Sequence, residues 1–135
     1  MRRITVLLVF CLSFSVFVYA ATKYKLTSTS VAPAARGQAE VSIGKTNGNT
    51  KVAIKVEHLA PPENLSPPKS MYLVWYQESG SNPESQGRLK IDKNLKGSFE
   101  NTTVYKNFDL WITAESDATV KRPEGPEVLR TTVRH

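Results

Sequence analysis

Cysteine is almost absent from this 135-residue chain, which has a single one at Cys11. No intrachain disulfide can form. A blue-copper site, which needs a thiolate with two imidazoles, has no ligand set downstream of that residue. Histidine is scarce as well, at His58 and His135. Two imidazoles without cysteine partners do not make a structural zinc site. His58, at the end of an apolar run before a proline-rich stretch, reads as an ordinary surface or hydrogen-bonded histidine. The chain also lacks a glycine-rich phosphate loop and a His-Glu-x-x-His pair. No cofactor and no metal is expected.

Long apolar runs are missing after the first twenty residues, and that contrast is informative. Met1-Arg2-Arg3 is a short basic segment, Ile4–Val18 is apolar apart from Thr5, Ser13 and Ser15, and Val18-Tyr19-Ala20 ends in the small residue a signal peptidase needs. Residues 1–20 therefore read as a signal peptide cleaved between Ala20 and Ala21. The alternative is a retained N-terminal anchor, since a bilayer core takes roughly 17–25 apolar residues. Leu8-Val9-Phe10 lacks the small residue that precedes a lipid-modified cysteine, so Cys11 is not read as a lipidation site. Arg2-Arg3 without a matching continuation weighs little for twin-arginine export. The expected location is exported: periplasmic, cell-envelope or secreted. Membrane contact is expected only through residues 1–20, if these stay uncleaved.

Charge of one sign is only mildly in excess. The chain has 18 Lys and Arg against 12 Asp and Glu; without Arg2 and Arg3 the balance is 16 against 12, a net +4. Lys51, Lys55, Lys90, Lys93, Lys96 and Lys106 are scattered, mostly among apolar neighbours, as on a solvated sheet face. A nucleic-acid footprint calls for a clustered stripe with interleaved aromatics, so no nucleic-acid partner is expected.

A helical period is also missing from Ala21 onward, and alternation dominates. Ala39, Val41 and Ile43 share one face; Val52, Ile54 and Val56 share another, with Asn47-Gly48 between them. Asn-Gly favours the positive φ values of a type I′ hairpin turn. Pro61, Pro62, Pro67 and Pro68 mark a loop crossing between sheets or an edge. Met71–Tyr76 is apolar throughout, which suits a strand buried on both faces or a central strand with an aromatic outer face, and Phe108–Ala114 is a second strongly apolar strand. Short strands around Leu89, at Leu95–Phe99 and at Val128–Val133 complete the pattern. The expectation is one all-β domain over residues 21–135, a small Ig-like or Greek-key β-sandwich of seven to eight strands.

Two apparent catalytic or metal motifs fail on their chemistry. Ser66-Pro67-Pro68-Lys69 spells Ser-x-x-Lys, but consecutive prolines favour an extended chain rather than the helix start the motif needs. Asp92-Lys93-Asn94-Leu95-Lys96-Gly97 opens like a calcium loop, yet Lys96 and Thr103 occupy positions that require acids. Asn101-Thr102-Thr103 is a glycosylation sequon, and Asn64-Leu65-Ser66 a second one weakened by Pro67. Glu115 and Asp117, with Asp109, are the remaining acid candidates, and loop-edge acids are usually solvated.

Four segments in order resemble the extracytoplasmic C-terminal domain of anti-sigma-K-type factors. They are Tyr72-Leu73-Val74-Trp75, Gly87-Arg88-Leu89, Phe108–Glu115 ending in Thr113-Ala114-Glu115, and Pro123-Glu124-Gly125-Pro126 before Val128-Leu129. The resemblance covers about half of the chain. It implies a non-catalytic protein-interaction or sensory module with an envelope protein as partner. The cytoplasmic sigma-binding half of such factors has no counterpart here, so the likeness is to the outer domain alone, free-standing. Tyr72, Tyr76 and Tyr105 are the candidate contact residues. The alternatives are a small-ligand-binding or hydrolytic protein using loop-end acids, and a purely structural envelope component.

Overall fold

Alternating side chains build most of this molecule, and the two strongly apolar segments, Met71–Tyr76 and Phe108–Ala114, are its most continuously buried stretches. The computed structural model describes residues 21–45 and 47–135. The leader expected at 1–20, with Ala20 of its cleavage site, lies outside the described residues, as does Thr46. Eight strands follow one another: β1 (Thr22–Ser28), β2 (Arg36–Ile43), β3 (Thr50–Glu57), β4 (Met71–Gln77), β5 (Glu84–Ile91), β6 (Gly97–Thr103), β7 (Phe108–Glu115) and β8 (Glu127–Val133). The only helical piece among the described residues is a 3₁₀ turn at Pro62–Asn64. No helix there is long and apolar enough to cross a membrane.

The strands close into an antiparallel barrel in the order β1-β2-β3-β6-β5-β4-β7-β8. Closure depends on two strands that change partners along their length. β1 pairs with β2 through Thr22–Leu26 and with β8 through Thr27 and Ser28. β5 pairs with β4 through Glu84–Leu89 and with β6 only at Lys90 and Ile91. A bulge at Val74/Trp75 helps β5 turn away, and Gly87 supplies the φ of 134° that this bulge needs. The expected strand count is met. The expected pair of separate sheets is joined at both edges instead, which removes the exposed edges that an open sheet must protect.

The expected type I′ turn is replaced by a wider loop. Ile43 pairs with Thr50, and the loop Gly44–Asn49 is closed by the Gly44 N–H donating to Asn49 O at 2.8 Å. Gly48 has a φ of 69°. The Asn47 side chain accepts the Asn49 N–H at 3.0 Å. An asparagine used as an acceptor in this way favours a turn of its own making.

Inside the barrel, Ala39, Val41, Val52, Ile54 and Val56 meet Tyr72, Val74, Tyr76, Leu110, Ile112 and Leu129. This is the period-two pattern of each strand turned toward one core. A second, smaller apolar cluster sits on the outer side of β4 and β7: Leu73, Trp75 and Trp111, with Met71 and Val120 against them. Val120 belongs to the β7–β8 loop. That loop folds back over the sheet, which is why β4 and β7 are buried on both faces.

Candidate functional site

The outer face of β4 and β7 carries the buried polar groups, and their partners show what they do. Trp75 Nε1 donates to Thr113 Oγ1 at 2.8 Å, and the Thr113 hydroxyl donates to Glu115 Oε2 at 2.6 Å. Glu115 Oε1 accepts the backbone N–H groups of Gly125 at 2.8 Å and Glu124 at 3.1 Å. Glu115 is only 1% exposed. The Ala114 N–H donates to Pro126 O at 2.9 Å beside it. A side chain at Gly125 would overlap the Ala114 carbonyl, so glycine is the one residue that lets the loop come this close. The carboxylate therefore ties the β7–β8 loop down over the two tryptophans. Arg130 completes the cover, with its guanidinium 4.5 Å from the Trp111 ring centroid and its Nε 2.6 Å from Glu127.

The acids expected at a loop end are thus not gathered into a cleft. Glu115 is buried and fully engaged. Asp117 is exposed, and its pKa is lowered by hydrogen bonds from the Thr119 N–H and hydroxyl, with Arg88 adding a smaller electrostatic effect. Asp109 accepts from the Thr132 hydroxyl at 2.9 Å and faces Arg130 and Arg134. Asp92, which opens the apparent calcium loop, accepts the N–H groups of Asn94 and Lys96 within its own turn. Among the described residues, no group of three His, Cys, Asp or Glu side chains could hold a metal ion.

The tyrosines named from the sequence do not form one surface. Tyr72 and Tyr76 point into the core and are buried. Tyr72 donates to Ala60 O at 2.6 Å, and burial, helped by the charge of Glu63, pushes its pKa up to about 12. Tyr76 donates to Asn101 Oδ1 at 2.7 Å, and burial raises its pKa further. Tyr105 is half-buried, 6.3 Å from the Phe108 ring, and its pKa is raised chiefly by a hydrogen bond to Glu84. The even and odd positions of β4 explain the correction. Tyr72 and Tyr76 share the inward phase of Val74, while the outward phase belongs to Leu73 and Trp75.

The opposite side of the barrel is the face that remains open to solvent. The outward residues of β1, β2, β3, β6 and β5 are almost all polar, and strand register sorts them into rows. One row runs Lys25, Gln38, Lys55, Ser98, Lys90, each residue directly opposite the next. Arg36 lies beside this row on β2, Lys23 on β1 and Lys96 just ahead of β6. Two shallow depressions flank Lys55. The first, of roughly 480 Å³, is lined by Lys23, Lys25, Arg36, Gln38 and Glu57. The second, of roughly 470 Å³, is lined by Lys90, Asp92, Lys96 and Ser98. Lys25, Lys55 and Lys90 form no ion pair with any described residue, whereas Lys23 lies 4.0 Å from Glu40 and Lys51 2.9 Å from Glu100. In the sequence these lysines lie far apart, and only the pairings β1–β2, β2–β3, β3–β6 and β6–β5 align them. Alternation within each strand was the one available sign that they share a side.

Neither a protein-family model nor a curated protein sequence matches this chain.

Proposed function

We propose that this chain is a non-catalytic, exported cell-envelope protein that works as a binding or sensory module through the basic outer face of β1, β2, β3, β6 and β5. The observation that carries the reading is the row of unpaired cations on the face that no loop covers. Burial of Glu115, Tyr72 and Tyr76 in structural roles argues against a loop-end active site. The basic and apolar character of residues 1–20 supports export.

The strand order supports an immunoglobulin-like arrangement that has closed at its edges. β2, β3 and β6 are neighbours in the manner of strands A, B and E, and β4, β7 and β8 in the manner of C, F and G. The strands β4, β5 and β6 are consecutive neighbours, and β7 returns beside β4, which is a Greek-key path. Such a domain fits the outer half of anti-sigma-K-type factors that the four sequence segments resemble.

The test is fractionation of the full chain, tagged at its C-terminus, followed by N-terminal sequencing and by washing of isolated envelopes at rising salt. The expected product begins at Ala21 and stays on the envelope until the salt is raised. A chain that remains cytoplasmic with Met1 in place overturns export. An exported chain that never associates with the envelope overturns the binding role.

A further inference from the structure

Register, not charge count, is the informative property of the basic face. Lys25, Lys55 and Lys90 are separated by two strand steps each, because Gln38 stands between the first two and Ser98 between the last two. Neighbouring strands lie about 4.8 Å apart, so the row places a cation every ~9.5 Å across the sheet. The intervening Gln38 and Ser98 are uncharged hydrogen-bonding groups. The depressions on either side of Lys55 leave room for chain between the charges.

The composition of the face selects among polyanions. The outward positions of this row hold no aromatic ring, whereas single-stranded nucleic acid is held by stacking its bases on aromatic side chains. Of the exposed large apolar residues Ile43, Leu95 and Val104, only Leu95 adjoins the row, in the β5–β6 turn next to Lys96, and a single leucine is too little apolar surface to anchor the face in lipid. Lysine is depleted from the cores of protein interfaces, where aromatics, Met and Arg dominate. An extended sugar chain bearing one carboxylate per disaccharide has the matching repeat, and its hydroxyls suit Gln38 and Ser98.

We propose that the ligand of this face is a linear acidic polysaccharide, with a carboxylate on alternate sugars, lying across the strands over Lys25, Lys55 and Lys90. This inference rests on the binding-module reading above and names its ligand class. Binding is salt-sensitive, because the contacts are solvent-exposed ion pairs screened within about 10 Å at 0.1 M salt.

The experiment measures binding of the full chain to hyaluronate, a polymer with alternate uronates, beside neutral dextran, a single-stranded DNA oligonucleotide and phosphatidylglycerol vesicles. Hyaluronate should bind best at low salt and dextran should not bind. Lys25→Ala, Lys55→Ala and Lys90→Ala should each weaken hyaluronate about two- to fivefold, the range of an exposed ion pair, and the triple variant should lose it. Lys51→Ala, on the same face but outside the row, should bind as the parent does, with circular dichroism confirming that every variant is folded. Equal loss in Lys51→Ala would show that bulk charge and not the row matters, and would overturn the proposal. So would tighter binding to the oligonucleotide or to the vesicles, each naming its own partner class. A chain that is exported and envelope-bound yet ignores hyaluronate overturns the ligand and leaves the module standing; one that is not exported overturns the module itself.

Discussion

Replacing Glu115 by glutamine removes a charge and one acceptor while nearly preserving shape, and the structure says where the loss falls. The carboxylate uses both oxygens: Oε1 for the Glu124 and Gly125 N–H groups, Oε2 for the Thr113 hydroxyl. An amide has one oxygen, so its NH₂ must face a donor on one side. If the oxygen keeps the two backbone N–H groups, the NH₂ confronts Thr113 Oγ1, which already accepts the Trp75 indole N–H. The threonine proton is then left without an acceptor. One charge-assisted bond is lost outright and the backbone pair is weakened, which together cost about 2–3 kcal/mol when a bond to a charged group is worth 1.5–3. For a chain between the usual small-domain size classes, each kcal/mol moves Tm by roughly 3–5 °C, so the midpoint should fall by about 6–15 °C. The two tryptophans of the chain, Trp75 and Trp111, both lie under the loop that Glu115 holds. Thermal unfolding should therefore be followed by tryptophan fluorescence and far-UV circular dichroism in parallel. The indole signal should shift at lower temperature than the backbone signal in Glu115→Gln, because the loop opens before the barrel. A variant whose midpoint stays within about 1 °C of the parent, a change worth only a few tenths of a kcal/mol, would refute the assignment of Glu115 as the tie.

Two further outcomes follow from backbone strain and from burial. Leu95 sits at a φ of 61°, a left-handed conformation that costs a branched residue about 1–2 kcal/mol and that asparagine tolerates. Leu95→Asn should raise stability by about 0.5–1 kcal/mol after the loss of some apolar packing, read from the denaturant midpoint at unchanged slope; a lower midpoint would show that the turn stores no strain. The Tyr72 and Tyr76 hydroxyls have pKa values raised by burial above the ordinary value of 10.0. The neutral phenol is favoured in the folded chain, so the unfolded chain releases its proton first and binds fewer protons above pH 10. Stability is therefore intact below that pH and falls as pH rises from there toward the folded value of about 12 for Tyr72. An alkaline titration of tyrosinate absorbance should show these two groups ionising together with loss of structure, and free titration near pH 10 in the intact fold would contradict their burial.

Strand periodicity was legible because it is a local property. The alternations at Ala39–Val41 and Val52–Val56, the apolar runs at Met71–Tyr76 and Phe108–Ala114, and the proline-rich crossing each depend on neighbours a few residues away. The hairpin loop was less legible, since it closes at Gly44 and Asn49 and Asn47 uses its side chain to accept the Asn49 N–H. The tyrosines could not be placed without knowing strand phase: a one-residue shift exchanges inside for outside. In β4 both phases are apolar, so composition offered no choice between them.

By itself the sequence determined that the chain is built of alternating strands, that it carries no thiol beyond Cys11, and that an apolar basic-headed segment precedes the domain. Tertiary structure alone decided the rest. Closure of the barrel required β1 and β5 to change partners midway, and this depends on bulges and pairing between distant segments. The role of Glu115 required a loop ten residues further on to fold back onto it. The row of Lys25, Lys55 and Lys90 exists only because four ladders place distant residues opposite one another, and long-range register is not written in any local stretch of chain.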